Sequence, residues 1–192
     1  ILTGAIFLLL IAGGLVTSHE AGLAVPDWPR SYGQWFPPMV GNIFWEHGHR
    51  MIAGALGLLT LAFVVLMQVF AKQTVLKKLA WTMAAAVLLQ AGLGGVTVLF
   101  MLPPAVSILH AVLGQTFFCL SIAMGYCLGP KRLFSKTHYS RALDNSCRAV
   151  LLFVYVQLIL GAVGSHSGQG IPFHILTAFI ILWLMWNLVS RC

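Results

Sequence analysis

Residues 45–70 read Trp-Glu-His-Gly-His-Arg-Met-Ile-Ala-Gly-Ala-Leu-Gly-Leu-Leu-Thr-Leu-Ala-Phe-Val-Val-Leu-Met-Gln-Val-Phe. A polar mouth opens directly onto an apolar run long enough to cross a bilayer, which takes about 20 residues of helix. Five more stretches behave the same way or nearly so, and the predicted spans are 1–17, 48–70, 79–101, 105–129, 149–165 and 172–190. The composition agrees: 59% of the 192 residues are hydrophobic and only 8% are charged, whereas soluble domains carry about 25% charged residues. A soluble enzyme is excluded. The net charge of +7 is no nucleic-acid surface, because the cations sit in short loops between apolar runs. Cys119, Cys127, Cys147 and Cys192 form no CxxC pair, so neither a zinc site nor a disulfide scaffold is indicated.

Nine of the eleven Lys and Arg residues fall in 71–78, in 130–148 or at Arg191; the alternate loops hold only Arg30 and, at a helix mouth, Arg50. That bias places the N-terminus and the basic loops in the cytoplasm and loops 18–46, 102–104 and 166–171 outside. His19, His47, His49, His110, His166 and His174 then lie on or near the outer side, and only His138 is cytoplasmic. His49, His110 and His174 lie near the outer starts of the second, fourth and sixth helices, at matched depth.

The chain resembles itself. Gln90-Ala-Gly-Leu-Gly-Gly-Val precedes a proline and His110, and Gln157-Leu-Ile-Leu-Gly-Ala-Val precedes Pro172 and His174. Gly13-Gly14-Leu-Val-Thr-Ser-His19 relates similarly to Gly161-Ala-Val-Gly-Ser-His166. The expected architecture is an all-α integral membrane protein. Residues 1–129 form a four-helix transmembrane bundle, 130–148 a basic cytoplasmic linker, and 149–192 a helical hairpin from a second, related bundle. The chain reads as a piece of a longer protein, with two further helices expected beyond Cys192. Ala53/Gly57 and Ala91/Gly95 have the small-xxx-small spacing that lets helix backbones approach, or that simply fits ordinary packing.

An ionisable side chain inside a bilayer is costly and marks function, unless it is a neutral imidazole bonded to a carbonyl. Two histidines at one depth on alternate helices of a bundle form a pair of opposed ligands. Paired imidazoles suit a six-coordinate haem iron, whereas zinc wants a third or fourth ligand that this depth lacks. Glu46 shares a helix face with His49 and with Arg50, which suits Glu46 to proton transfer beside the ligand. Arg50 either meets a haem propionate or pairs with Glu46 at the helix mouth. His47 projects elsewhere and reads as interfacial. The loop 18–46, with its Asp-Trp-Pro-Arg-Ser-Tyr-Gly-Gln-Trp-Phe-Pro-Pro run, suits a lid over a planar ligand, or else Trp28, Trp35 and Trp45 only anchor the interface.

GGLVTSHEAGLAVPDWP (13–29), WEHGHRMIAGALG (45–57) and LGGVTVLFMLPPAVSILHAVLG (93–114) strongly resemble the haem A synthase family. The resemblance spans the chain, is dense over 13–115 and thins after 149. It implies eight membrane helices in two related halves and oxidation of a haem O methyl group to the formyl group of haem A, through successive hydroxylations and loss of water, for terminal oxidases. It implies a catalytic role for Glu46, with Arg50 as a cofactor-binding residue. It further implies His49 and His110 as iron ligands of the substrate haem, and His174 as ligand of a haem b cofactor whose partner histidine lies outside these residues. Ile175 stands where the family usually has Arg after the sixth-helix His, and 166–171 is much shorter than 18–46, so His166 is the fallback ligand. No cysteine pair occupies the first outer loop. The partners implied are the haem O substrate, the lipid bilayer of the plasma membrane, a haem O-producing enzyme, an electron acceptor and a further copy of the chain; no nucleic acid is implied. Two rivals stay open: a b-type cytochrome that only carries electrons, which has no need of Glu46 or a lid, and a membrane transporter, which binds no haem. A purely structural subunit leaves the matched histidines unexplained.

Overall fold

The computed structural model describes residues 1–129 and 140–190. These form six helices: α1 (Leu2–Ser18), α2 (Asn42–Phe70), α3 (Thr74–Leu99), α4 (Pro104–Leu128), α5 (Arg141–Ser167) and α6 (Ile171–Val189). The last five are long and apolar enough to cross a membrane; α1 is apolar but has only 17 residues. There is no strand among the described residues, and the protein is an all-α integral membrane protein.

The helices start earlier than the apolar runs. α2 begins at Asn42, α3 at Thr74 and α5 at Arg141, where hydropathy placed the starts at 48, 79 and 149. Hydropathy detects only the part of a helix immersed in hydrocarbon, whereas backbone hydrogen bonding continues into the headgroup layer wherever a cap allows. Ser140 supplies such a cap, accepting from the Leu143 amide at 3.2 Å, and Asp144 pairs with Arg148 one turn on. Residues 141–148 of the expected linker are therefore helical. Lys131, Arg132, Lys136 and His138 of that linker, and Arg191 and Cys192, lie outside the described residues.

The chain divides into two compact units, Ile1–Gly129 and Pro130–Cys192. In the first, α1 packs on α2 and α4, and α3 packs on α2 and α4, so α2 and α4 stand on one diagonal of a four-helix ring. Its dry core gathers Ile6 of α1, Val64 of α2, Leu76, Ala80, Met83, Ala84 and Ala86 of α3, and Phe117 and Met124 of α4. These residues come from the early turns of the odd helices and the later turns of the even ones, all in the half of the bundle beside the 71–73 loop. Buried Thr60 and Ser121 cost that half little, because each hydroxyl donates to its own helix, Thr60 to Leu56 O at 2.8 Å and Ser121 to Phe118 O at 2.7 Å. The opposite half holds His49, His110 and the long α1–α2 connector.

In the second unit α5 and α6 form a hairpin. Its three-residue connector turns through Gly168 (φ +68°) and Gly170 (φ +79°), left-handed positions that glycine adopts without penalty.

Candidate functional site

The outer end of α2 carries the sequence Glu46-His47-Gly48-His49-Arg50. At about 100° per residue, Arg50, Glu46 and His47 share one arc, and His49 falls beside Glu46 on the other side. The arc faces the connector 19–41 and binds it. Glu46 accepts the Val25 amide at 2.8 Å on Oε2 and pairs with Arg50 through Oε1. Arg50 donates to three loop carbonyls, those of Asp27 at 2.7 Å, Arg30 at 3.1 Å and Val25 at 3.3 Å. The Glu46–Arg50 pair expected as one alternative is thus present, and it doubles as the anchor of the loop.

His47 is not interfacial. It is 4% exposed and shares a 2.7 Å hydrogen bond from Nδ1 to the fully buried Ser31 hydroxyl, while its Nε2 is buried without a partner. The interfacial reading assumed an open helix mouth, and the loop covers that mouth.

The loop is itself ordered. Ser31 and Gln34 exchange backbone hydrogen bonds of 2.9 and 3.0 Å around Tyr32 (φ +52°) and Gly33 (φ +72°), the geometry of a tight turn with both central residues left-handed. Asp27 clamps the turn, its two oxygens accepting the Tyr32 and Gly33 amides at 2.7 and 2.8 Å. The Gly33 amide does most to hold the Asp27 carboxyl below its ordinary value of 3.8; partial loss of water opposes this, and the Tyr32 amide and the Arg50 charge assist it. The Tyr32 hydroxyl donates to Ala24 O at 2.6 Å. Trp28 closes the loop onto α3, with a Cβ at Gly95 falling 2.9 Å from its ring. Arg30 lies over Trp35 at 5.2 Å, and Trp45 stacks on His19 at 4.1 Å. Trp28 therefore caps the bundle, while Trp35 and Trp45 have ring partners within the connector region.

The three matched histidines share one setting. A Cβ on Gly13 of α1 would lie 3.1 Å from Cε1 of His49; on Gly94 of α3, 3.2 Å from Cε1 of His110; on Gly161 of α5, 3.1 Å from Cε1 of His174. Each imidazole of an even helix is seated on a glycine of the helix before it, close enough that only glycine leaves the ring undisturbed. The Nδ1 atoms of His49 and His174 are buried without a hydrogen-bond partner. His49 and His110 stand on the diagonal helices α2 and α4 of the ring. Beside two of the seats stands a glutamine one turn earlier. Gln90 Nε2 lies 3.3 Å from His110 Nε2 and donates to His110 O at 3.0 Å. Gln157 Nε2 lies 3.3 Å from His174 Nε2, and Thr177 donates to its Oε1. In α1 the equivalent position is Leu9.

The repeat seen in the sequence is therefore a repeat of helical hairpins, and it puts His174, not His166, on a glycine seat. His166 lies in the last turn of α5, half-buried. Reading by residue type assigned no role to Gln90 and Gln157, although both stood inside the quoted repeats. Beyond the Glu46–Arg50 pair the loop anchors left no signal, because Arg50 binds backbone carbonyls, which every sequence offers.

Residues 39–177 match the model of the COX15-CtaA family, described as cytochrome oxidase assembly protein. The chain is 30% identical over 177 residues to the haem A synthase of Symbiobacterium thermophilum, an alignment covering 86% of this chain and 57% of that protein. It is 31% identical over 138 residues to the haem A synthase of Caulobacter vibrioides, covering 64% of this chain and 39% of the relative. It is 28% identical over 178 residues to that of Bacillus pumilus, covering 87% and 57%. The chain thus spans about half the length of the curated relatives it matches. No solved structure matches it significantly.

Proposed function

The chain belongs to the COX15-CtaA family of cytochrome oxidase assembly proteins, and from that premise we propose that it is the haem O-binding part of a haem A synthase, an oxidoreductase. Haem O is its substrate, held between His49 and His110, and the methyl group is oxidised to formyl. The observation that carries this reading is the pair of glycine-seated imidazoles on the diagonal helices α2 and α4, covered on the outer side by an anchored loop.

The residues fit a haem iron. Neutral imidazole is a good iron ligand, and the glycine seats leave no side chain between ligand helix and neighbour. His174, with the same seat and a buried, unpartnered Nδ1, would hold the resident haem b. When bound, that group supplies one-electron transfer; the cofactor carries the redox chemistry and the protein places it.

The chain's own residues do the rest. Conversion of a methyl to a formyl group brings in oxygen, from water or dioxygen, and removes protons as well as electrons, the electrons leaving to the acceptor. Glu46, three positions before His49, is the proton acceptor at the reacting edge. Its Oε2 is oriented by the Val25 amide and its Oε1 by Arg50. Arg50 spends its donors on loop carbonyls and Glu46, so its contribution is to hold the cover in place and keep water out. The membrane is the plasma membrane, with the N-terminus cytoplasmic and the sites toward the outer face. A haem O-producing enzyme supplies the substrate, an electron acceptor drains the second haem, and association with a further copy of the chain is compatible with the exposed apolar helix faces.

The test is an absorption spectrum of the purified full-length protein from cells that make haem O, followed by extraction of its haem. Haem O or haem A in a low-spin six-coordinate form, lost in His49→Ala or His110→Ala, supports the proposal; haem B alone points to an electron carrier. Glu46→Gln should keep the bound haem and lose conversion, and normal haem A production by that variant would remove Glu46 from the chemistry.

A further inference from the structure

We propose that Gln90 is a positioning residue that holds His110 in the tautomer and direction needed to receive iron, and that Gln157 does the same for His174. The inference rests on the haem reading above and goes beyond its ligands.

The orientation of the Gln90 amide is settled by chemistry. Its terminal atom 3.0 Å from His110 O must be the NH2 group, because a backbone carbonyl only accepts. That same nitrogen lies 3.3 Å from His110 Nε2, so its second hydrogen points at the ring nitrogen. A nitrogen that accepts carries the lone pair, and the ring proton then resides on Nδ1. The arrangement presents an Nε2 lone pair, the form that iron requires. The amide faces the nitrogen that would bind iron, and its bond to His110 O would keep Gln90 beside the ring when that nitrogen takes a metal.

The second hairpin repeats the device independently. Gln157 Nε2 lies at the same 3.3 Å from His174 Nε2, one turn before Gly161 as Gln90 is one turn before Gly94. There the amide's other terminal atom meets the Thr177 hydroxyl. The residue at the matching place in α4 is Leu113, three after His110 as Thr177 is three after His174, and Gln90 Oε1 is buried with no partner. Each glutamine is thus held at two points, Gln90 by the ring and the backbone carbonyl of His110, and Gln157 by the His174 ring and Thr177. The first hairpin has Leu9 in place of the glutamine, so of the two ligands to the substrate haem only His110 is set in this way.

The experiment replaces the donor without emptying the space, with Gln90→Met and Gln157→Met in the full-length protein loaded in haem O-producing cells. The readouts are haem retention during purification and the low-temperature electron paramagnetic resonance of each low-spin haem. Gln90→Met should lower retention of the substrate haem about ten-fold, the scale of losing a group that orients a metal ligand, and shift its signal while leaving the other unchanged. Gln157→Met should do the converse. Leu113→Thr supplies the missing partner of Gln90 Oε1 and should sharpen the substrate-haem signal, which keeps the idea testable should Gln90→Met fold poorly. Unaltered signals and retention in Gln90→Met, or a Leu113→Thr signal no sharper than the parent's, overturn the proposal. If His110→Ala also leaves that haem in place, the haem assignment itself has failed, and the two failures are told apart.

Discussion

Arg50→Met should unlatch the outer loop. The guanidinium bonds the carbonyls of Asp27, Arg30 and Val25 and pairs with Glu46. Removing it strands three carbonyls and leaves a carboxylate only 4% exposed without its counter-charge. Breaking a buried pair by deleting one partner costs about 3–5 kcal/mol. The lower end applies, because the Arg50 side chain keeps 13% of its surface in water and solvent screens part of the interaction. About 3 kcal/mol corresponds to roughly a hundredfold in the opening equilibrium of the loop. Hydrogen exchange reads this directly, since the Val25 amide is protected by Glu46 Oε2 and the Tyr32 and Gly33 amides by Asp27. Their exchange should accelerate by about two orders of magnitude in the variant. Glu46→Gln combined with Arg50→Met removes the stranded charge and should recover part of the protection. Exchange within about threefold of the parent at all three amides would refute the latch and return Arg50 to a ligand-binding role.

Gly13→Ala, Gly94→Ala and Gly161→Ala each bring a Cβ to 3.1–3.2 Å of an imidazole carbon; each should shift the haem absorption bands and cut haem retention several-fold, while Gly4→Ala, with nothing within 4 Å, should leave both unchanged. Gly95→Ala places a Cβ 2.9 Å from the Trp28 ring and should lift the loop from α3, seen as faster limited proteolysis within 24–34; an unchanged cleavage rate would count against Trp28 as a cap. Asp27 is held below its ordinary 3.8, so it contributes order to the turn above that value and loses it as the pH falls through the lowered value. Exchange at Tyr32 and Gly33, flat from neutral pH down to about 5 once the intrinsic rate is divided out, should rise only below about 4, and Asp27→Asn should abolish that acid-side rise.

The membrane architecture was legible because burial in lipid demands continuous apolarity, a property of sequence alone. Helix beginnings were less so: Asn42, Thr74 and Arg141 start helices that hydropathy cannot see. The histidines were legible by depth and repeat, and the glycine repeats lay in plain view. What periodicity cannot give is the residue standing opposite, and so it did not join Gly13 to His49 or Gln90 to His110. His47 was misread because its burial depends on Ser31, 16 residues earlier, folded back over it. The loop as a whole is held largely by side chains gripping main-chain atoms, an interaction that leaves almost no residue pattern.

The three hairpins share a seat and differ in what surrounds it, and the differences sort by what each haem must do on the proposed reading. A substrate has to enter and leave, whereas a resident cofactor does not. The α1–α2 connector runs through 19–41, against 100–103 between α3 and α4 and 168–170 between α5 and α6. Of these three the long connector joins α1 to the helix that carries His49, and its anchors are side chains on α2 and a ring on Gly95, bonds that open without unfolding a helix. His49 also lacks the glutamine that sets His110 and His174. The histidine on the helix that anchors the cover is thus the one least fixed by its surroundings, whereas His110 and His174 each have a glutamine at the ring. On the proposed reading the substrate haem therefore has one ligand set by a glutamine, His110, and one without it, His49, which stands on the helix that anchors the cover, while the glycine seat is common to all three.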